Sequence, residues 1–328
     1  MSDVNSRRRL LLGSASLFAL SALSSPAKSQ QDSRAIRFIM PYAAGSGTDT
    51  AFRPYIESFA RHLGTPVFID NRGGANGLIG MDAAAKSRPD GLTMTLGTAS
   101  TLVINRFLYT RLPYDPVRDF ELVGTMLGTA NLLTARKELE VNSVADLVAH
   151  ARRNPGRLKV ASGGVGTTGH LSAALFDAMA GTSMVHVPYK SGADAFKDMV
   201  NGDVDLLFEN VALSSTLAKG GRVKLLAVTS KERVAVLPDV PTLDESGLKG
   251  YEILAWAGFV VPKGTPAEVV QRMNQAMRQA VADADVRKAT ESFALIAMPG
   301  SPQQFRQLIE TETPKWADLV KRTGAKLD

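Results

Sequence analysis

There is no cysteine in the 328 residues. That excludes disulfides, thiolate nucleophiles, cysteine-ligated metals and a lipid-bearing cysteine behind a leader. Histidine is nearly as scarce, with four in the chain. His62 and His150 fall on expected helices, His186 alternates with valines in an expected strand, and no spacing among them suits a metal. Several catalytic signatures are also missing. Gly163-Gly164-Val165-Gly166 holds no serine in a Gly-x-Ser-x-Gly pattern, so it is not a nucleophile elbow. No P-loop lysine follows the glycines, and the dinucleotide fingerprint lacks its spacing. Ser162 and His170 are near enough to meet, but no orienting acid is evident. These absences weigh against an enzyme and against a bound cofactor.

One long apolar run is present, Leu10 to Leu23, preceded by Arg7-Arg8-Arg9 and followed by Ala27-Lys28-Ser29. The pattern predicts an export leader over residues 1–29, cleaved near Ser29, with the paired arginines pointing to the twin-arginine route. The formal charge of +6 includes a net +3 from this leader, which leaves +3 for the rest. Such a mild excess favours small anions and does not argue for nucleic acid. Hydrophobic content of 45% over this length supports two domains with real cores.

Two stretches of one design stand out. Leu158 to Ala161 reads as a strand, Ser162 to Thr168 as a glycine- and hydroxyl-rich turn, and Leu171, Leu175 and Met179 as one face of a helix. Ile36 to Met40 reads as a strand, followed by Pro41-Tyr-Ala-Ala-Gly-Ser-Gly-Thr-Asp-Thr50 and a helical run through Phe52, Tyr55, Ile56 and Phe59. A strand, a glycine turn and a helix start leave free N–H groups beside the positive end of a helix dipole, which suits an anion. Each turn alone could be an ordinary, well-capped βα connection. Two of them predict a ligand held from two sides.

Elsewhere strands and helices alternate, which predicts parallel βαβ units and doubly wound sheets with ligands at strand carboxyl ends. Two apolar stretches interrupt the alternation, Leu122 to Ala135 and Ile253 to Val261. They read as two crossings between domains: residues 30–129 and 254–328 would form one lobe and residues 130–253 an inserted second. Two linker strands make a hinge that suits closure about a ligand.

The chain resembles the Bug-type solute receptors of tripartite tricarboxylate transporters. The resemblance rests on Pro41-Tyr42-Ala-Ala-Gly45-Ser-Gly47-Thr48-Asp49, Asp70-Asn71-Arg72-Gly73-Gly74-Ala75-Asn76-Gly77, Ala161-Ser-Gly-Gly-Val-Gly-Thr-Thr-Gly-His170, His186-Val-Pro-Tyr-Lys190 and Leu237-Pro-Asp-Val-Pro241, in order along most of the chain. It implies a type II-like, two-lobed periplasmic binding protein fold: α/β, with two doubly wound sheets joined by a two-strand hinge. It also implies a monomeric periplasmic receptor that hands a small carboxylate to membrane permease subunits; a sensory receptor for a membrane kinase, or an enzyme acting on small carboxylates, are the alternatives. Two departures from the family pattern are Ser46 within a glycine run and Glu209 where Asp is common.

The resemblance places the ligand between Tyr42, Ala43, Gly45, Ser46, Gly47, Thr48 and Asp49 of one lobe and Ser162, Gly163, Gly166, Thr167, Thr168, His170 and Asn210 of the other. Asp49 is expected to hold its loop by accepting N–H bonds rather than to touch an anion. His170 either donates to a carboxylate or fixes the turn, and Lys190 either supplies a charge or is solvated. At roughly 1.5–3 kcal/mol per charge-assisted hydrogen bond, a handful of contacts less ordering costs gives about −8 kcal/mol, micromolar binding. A bulky residue in place of Gly166 is expected to abolish binding and leave the fold.

Overall fold

A short apolar run makes Ile36–Met40 into β1, with Phe38, Ile39 and Met40 fully buried. This computed structural model describes residues 35–327, so the expected leader and its cleavage site lie outside the described residues. After β1 come α1 (Gly47–Leu63), β2 (Val67–Asn71), α2 (Leu78–Ala85), β3 (Thr93–Thr98), a wide turn at Ser100–Ile104 and α3 (Asn105–Leu108). β1 pairs in parallel with β2 on one side and β3 on the other. The strand–helix alternation thus gives the expected parallel unit.

β4 (Phe120–Arg136) is a single strand of 17 residues, about 55 Å at ~3.3 Å per residue. α4 (Val144–Arg153), β5 (Lys159–Ser162), α5 (Thr168–Ala180), β6 (Val185–Pro188), α6 (Gly192–Asn201), β7 (Leu206–Asn210), α7 (Val211–Ala218) and β8 (Val223–Val228) follow it. β5 pairs in parallel with β6 and β7, a second unit of the same kind. The chain then returns through β9 (Leu254–Pro262), α8 (Ala267–Ala282), α9 (Ala284–Ser292), the two-residue β10 (Ile296–Ala297) and α10 (Pro302–Thr323).

The crossings join the parallel groups by antiparallel pairing. β9 lies between β3 and β4, and the strand order is β2-β1-β3-β9-β4-β7-β5-β6. The first part of β4, Phe120 to Ala130, pairs with β9. The second part, Asn131 to Arg136, lies between β7 and β8. The register of β4 on β9 shifts near Gly124 and Thr125, and bulges of this kind bend a strand.

Helix ends follow sequence signals closely. Ser143 caps α4 and Ser191 caps α6, while Ser301 and Gln304 make a reciprocal capping box at α10. α10 is one helix despite Pro314, where the sequence suggested two stretches. It buries Phe305, Trp316, Leu319 and Val320 in a cluster that also takes in Trp256 of β9, Leu108 of α3 and Leu171 of α5. That cluster draws on both parallel groups, and from Ala35 onward the residues cohere as one unit.

Candidate functional site

Both glycine-rich turns reach one cavity of about 700 Å³. Gly47 and Thr48 open α1, Thr168 and Gly169 open α5, and Gly192 opens α6; all line it. Asn210, the cap of α7, lines it too. Four helix N-termini therefore meet at this space, and their dipoles give it a positive potential. The backbone N–H groups of Gly47, Thr48, Thr168, Gly169 and Gly192 have no hydrogen-bond partner among the described residues. Thr129 of β4 adds a hydroxyl, and Ala51, Phe52, Leu213, Phe293 and Leu295 give apolar wall. No lysine, arginine or histidine is in the lining.

The amides of the turns themselves are mostly committed elsewhere. Gly45 N–H donates to Asp49 Oδ2 at 2.8 Å and Ser46 N–H to the Ala43 carbonyl at 3.1 Å. Gly164 N–H donates to Ser162 Oγ at 3.3 Å, and Gly166 N–H to His170 Nδ1 at 3.1 Å. The open amides at the cavity thus lie mostly at the first helical residues, with Gly163 of the second turn beside them. A Cβ on Gly166 would collide with the Leu108 side chain, away from the cavity lining. Its φ of +75° also disfavours other residues. A bulky Gly166 therefore disturbs the turn and the packing of α3, and it is not the clean probe expected from sequence.

Asp49 is fully buried and holds the first turn together. Its carboxylate accepts from Gly45 N–H, from Asn71 Nδ2 at 2.9 Å and from Arg53. Burial alone would raise its pKa; the bonds from Asn71, Gly45 and Arg53, with the guanidinium charge, outweigh that and hold it below the ordinary value. Tyr42 points back to Thr98, its hydroxyl 3.2 Å from Thr98 Oγ1, and burial raises its pKa. Neither Tyr42 nor Ala43, Gly45, Ser46 or Asp49 is part of the cavity lining.

In the second turn, Gly163, Thr167 and Thr168 line the cavity, whereas Ser162 and His170 stand behind it. Thr167 caps α5, accepting from His170 N–H and donating to the Gly164 carbonyl at 2.8 Å. Ser162 Oγ lies 2.7 Å from His186 Nε2, and the His170 and His186 rings stack at 3.8 Å. Burial lowers the pKa of both rings to about 4, helped at His170 by the charge His186 would carry. No carboxylate among the described residues hydrogen-bonds either ring. His170 thus fixes the turn.

Glu209 belongs to the site although only its departure from the family pattern drew notice in the sequence. It is the penultimate residue of β7 and the one ionisable side chain in the lining. Asn210 donates to Oε1 twice, from its backbone N–H at 2.9 Å and from Nδ2 at 2.8 Å. Burial raises the Glu209 pKa, and the two Asn210 bonds lower it by less. The signal that could have revealed it is position: it lies near the end of a strand on the ligand edge, immediately before a helix cap.

This architecture is that of the tripartite tricarboxylate transporter receptors, whose family model matches residues 51–325, and the chain belongs to that family. Within it, the chain is 31% identical to protein BugT of Bordetella pertussis over 295 residues, 90% of each chain. An R. palustris protein solved with adipate matches with a TM-score of 0.80 at 34% identity, covering 90% of this chain and all of that one. MatC from Rhodopseudomonas palustris, solved with bound malate, matches at 0.74 and 30%, covering 88% and 99%. The fold is accordingly the two-lobed one of these binding proteins.

Proposed function

We propose that this chain is an exported receptor that captures a small dicarboxylate in the cavity between the α1 and α5 starts and delivers it to membrane permease subunits. The observation that carries this is the convergence of open N–H groups from α1, α5 and α6 on one space without a cationic side chain. Fixed dipoles and amides can hold a carboxylate at each end, while Phe52, Leu213 and Phe293 cover the aliphatic middle. The bound adipate and malate of the two solved relatives support this ligand class. Among the described residues no helix is long and apolar enough to cross a membrane, which fits a receptor that works outside the bilayer.

The lobes of this reading are residues 30–129 with 254–328, and residues 130–253. The change of partner along β4, from β9 to β7 and β8 between Ala130 and Asn131, lies within one residue of that division and supports it. Closure would rotate the lobes about β4 and β9. Calorimetry and thermal shift with succinate, malate, glutarate, adipate, aspartate and glutamate test the proposal. A member of the panel should bind at micromolar or tighter Kd and raise Tm. Absence of binding across the whole panel would count against the receptor reading.

A further inference from the structure

Glu209 brings an acid into a space otherwise built for anions. Its two oxygens are not equivalent. Oε1 accepts both Asn210 N–H bonds, so a proton there would displace one of them. Oε2 accepts no hydrogen bond among the described residues, and it packs against two glycines that leave room for it. A Cβ on Gly163 would come within 2.9 Å of Oε2, and one on Gly192 would overlap the carboxyl group, 2.7 Å from Cγ. Oε2 is therefore the natural place for a proton, on a residue that lines the same cavity as both glycines.

Building on the carboxylate-receptor reading above, we propose that Glu209 binds ligand as its neutral acid: Oε2–H donates to one ligand carboxylate that carries no ammonium beside it, and capture takes up one proton from solvent. Two carboxylates in contact away from water cannot both stay ionised, so they share a proton. The elements around Glu209 supply no other charge to the cavity. Asp49 is occupied by Gly45, Asn71 and Arg53. On α5 and β6, His170 and His186 are turned to Gly166 and Ser162. On α6, Asp194 is bonded to Ser191 and Asp198 to Tyr189. On β4 and β5, Arg136 pairs with Asp205 and Lys159 Nζ bonds the Asp203 carbonyl. Lys190, between β6 and α6, is exposed and not in the lining. Burial, which already favours the neutral form of Glu209, acts in the same direction.

The test is calorimetry with the same six acids from pH 6 to 9, in buffers of different ionisation enthalpy, which counts protons directly. The dicarboxylates should bind better than their ammonium-bearing counterparts. Above the titration of free Glu209, close to one proton should be taken up, and affinity should fall about tenfold per pH unit. In Glu209→Gln the uptake and the pH slope should vanish, so that at pH 9 the variant binds more tightly than wild type. Dicarboxylate binding by wild type without proton uptake would overturn the proposal, even if the variant does not fold. So would uptake that persists in Glu209→Gln, or tighter binding of aspartate or glutamate with at least a tenfold loss in the variant, which would mark an ion pair to ammonium. Failure of wild type to bind any of the six would instead overturn the receptor reading itself.

Discussion

At the scale of single residues, the site depends on which side chains are missing. Gly163 and Gly192 leave room for the Glu209 carboxyl, and Gly192 does so without a positive φ. Gly192→Ala is thus a sterically defined probe: the backbone tolerates it, while the new methyl occupies the space of the carboxyl. Affinity should drop at least tenfold by calorimetry, with Tm of the free protein changed by no more than a few degrees. Sequence reasoning reached the holding role of Asp49 because an acid at a helix start beside an anion site has few other uses, and it left His170 between donating to a ligand and fixing the turn. It named Gly47, Thr48, Gly163 and Thr168, whose amides are open at the cavity, together with Gly45, Ser46 and Gly166, whose amides are bonded elsewhere. Whether an N–H is free depends on partners such as His170 Nδ1 and Ser162 Oγ, whose orientation no local pattern specifies.

Among elements, the turn before α5 depends on two neutral imidazoles. Their pKa values lie near 4 against an ordinary 6.5. As pH falls below about 6.5, the unfolded chain takes up protons that the folded chain refuses, so stability declines until about pH 4. Urea midpoints at pH 7.5, 6.0, 5.0 and 4.5 should trace that decline. His170→Gln keeps an acceptor for Gly166 N–H and cannot ionise, so its decline should be shallower. Comparison of the two proteins separates the imidazoles from Glu209, whose raised pKa adds stability at low pH and acts in the opposite direction. Legibility in the sequence differed among elements. α4 and β8 carry plain local signals, a Ser143 cap for the one and an apolar run for the other. α7 was missed because Val211–Ala218 has little amphipathic contrast, and its start is fixed by Asn210 accepting from Leu213 N–H. β10 was missed because two residues carry no period at all.

Across the whole molecule, the two apolar crossings were readable because β4 and β9 are buried on both faces. Their antiparallel partnership with each other was not, since it joins residues more than a hundred positions apart. α10 adds a further tie by packing Trp316 and Phe305 into a cluster that includes Leu171 of α5. Urea unfolding should therefore follow one cooperative transition, with tryptophan fluorescence and far-ultraviolet circular dichroism coinciding. Separate midpoints would show that the second parallel group unfolds independently of the first.

The interleaved strand order also governs the timetable of folding. β3 meets its second neighbour only when β9 exists, so Thr95, already beside Ile39 of β1, must wait for Val260 on its other side. Until then the growing chain carries an uncapped strand edge, the template on which two immature copies could stick together. Loop closure over that span is slow relative to local helix formation. For this receptor the vulnerable moment is the long interval before the last quarter of the polypeptide arrives, and a chaperone acting early in synthesis would find its target on that waiting edge.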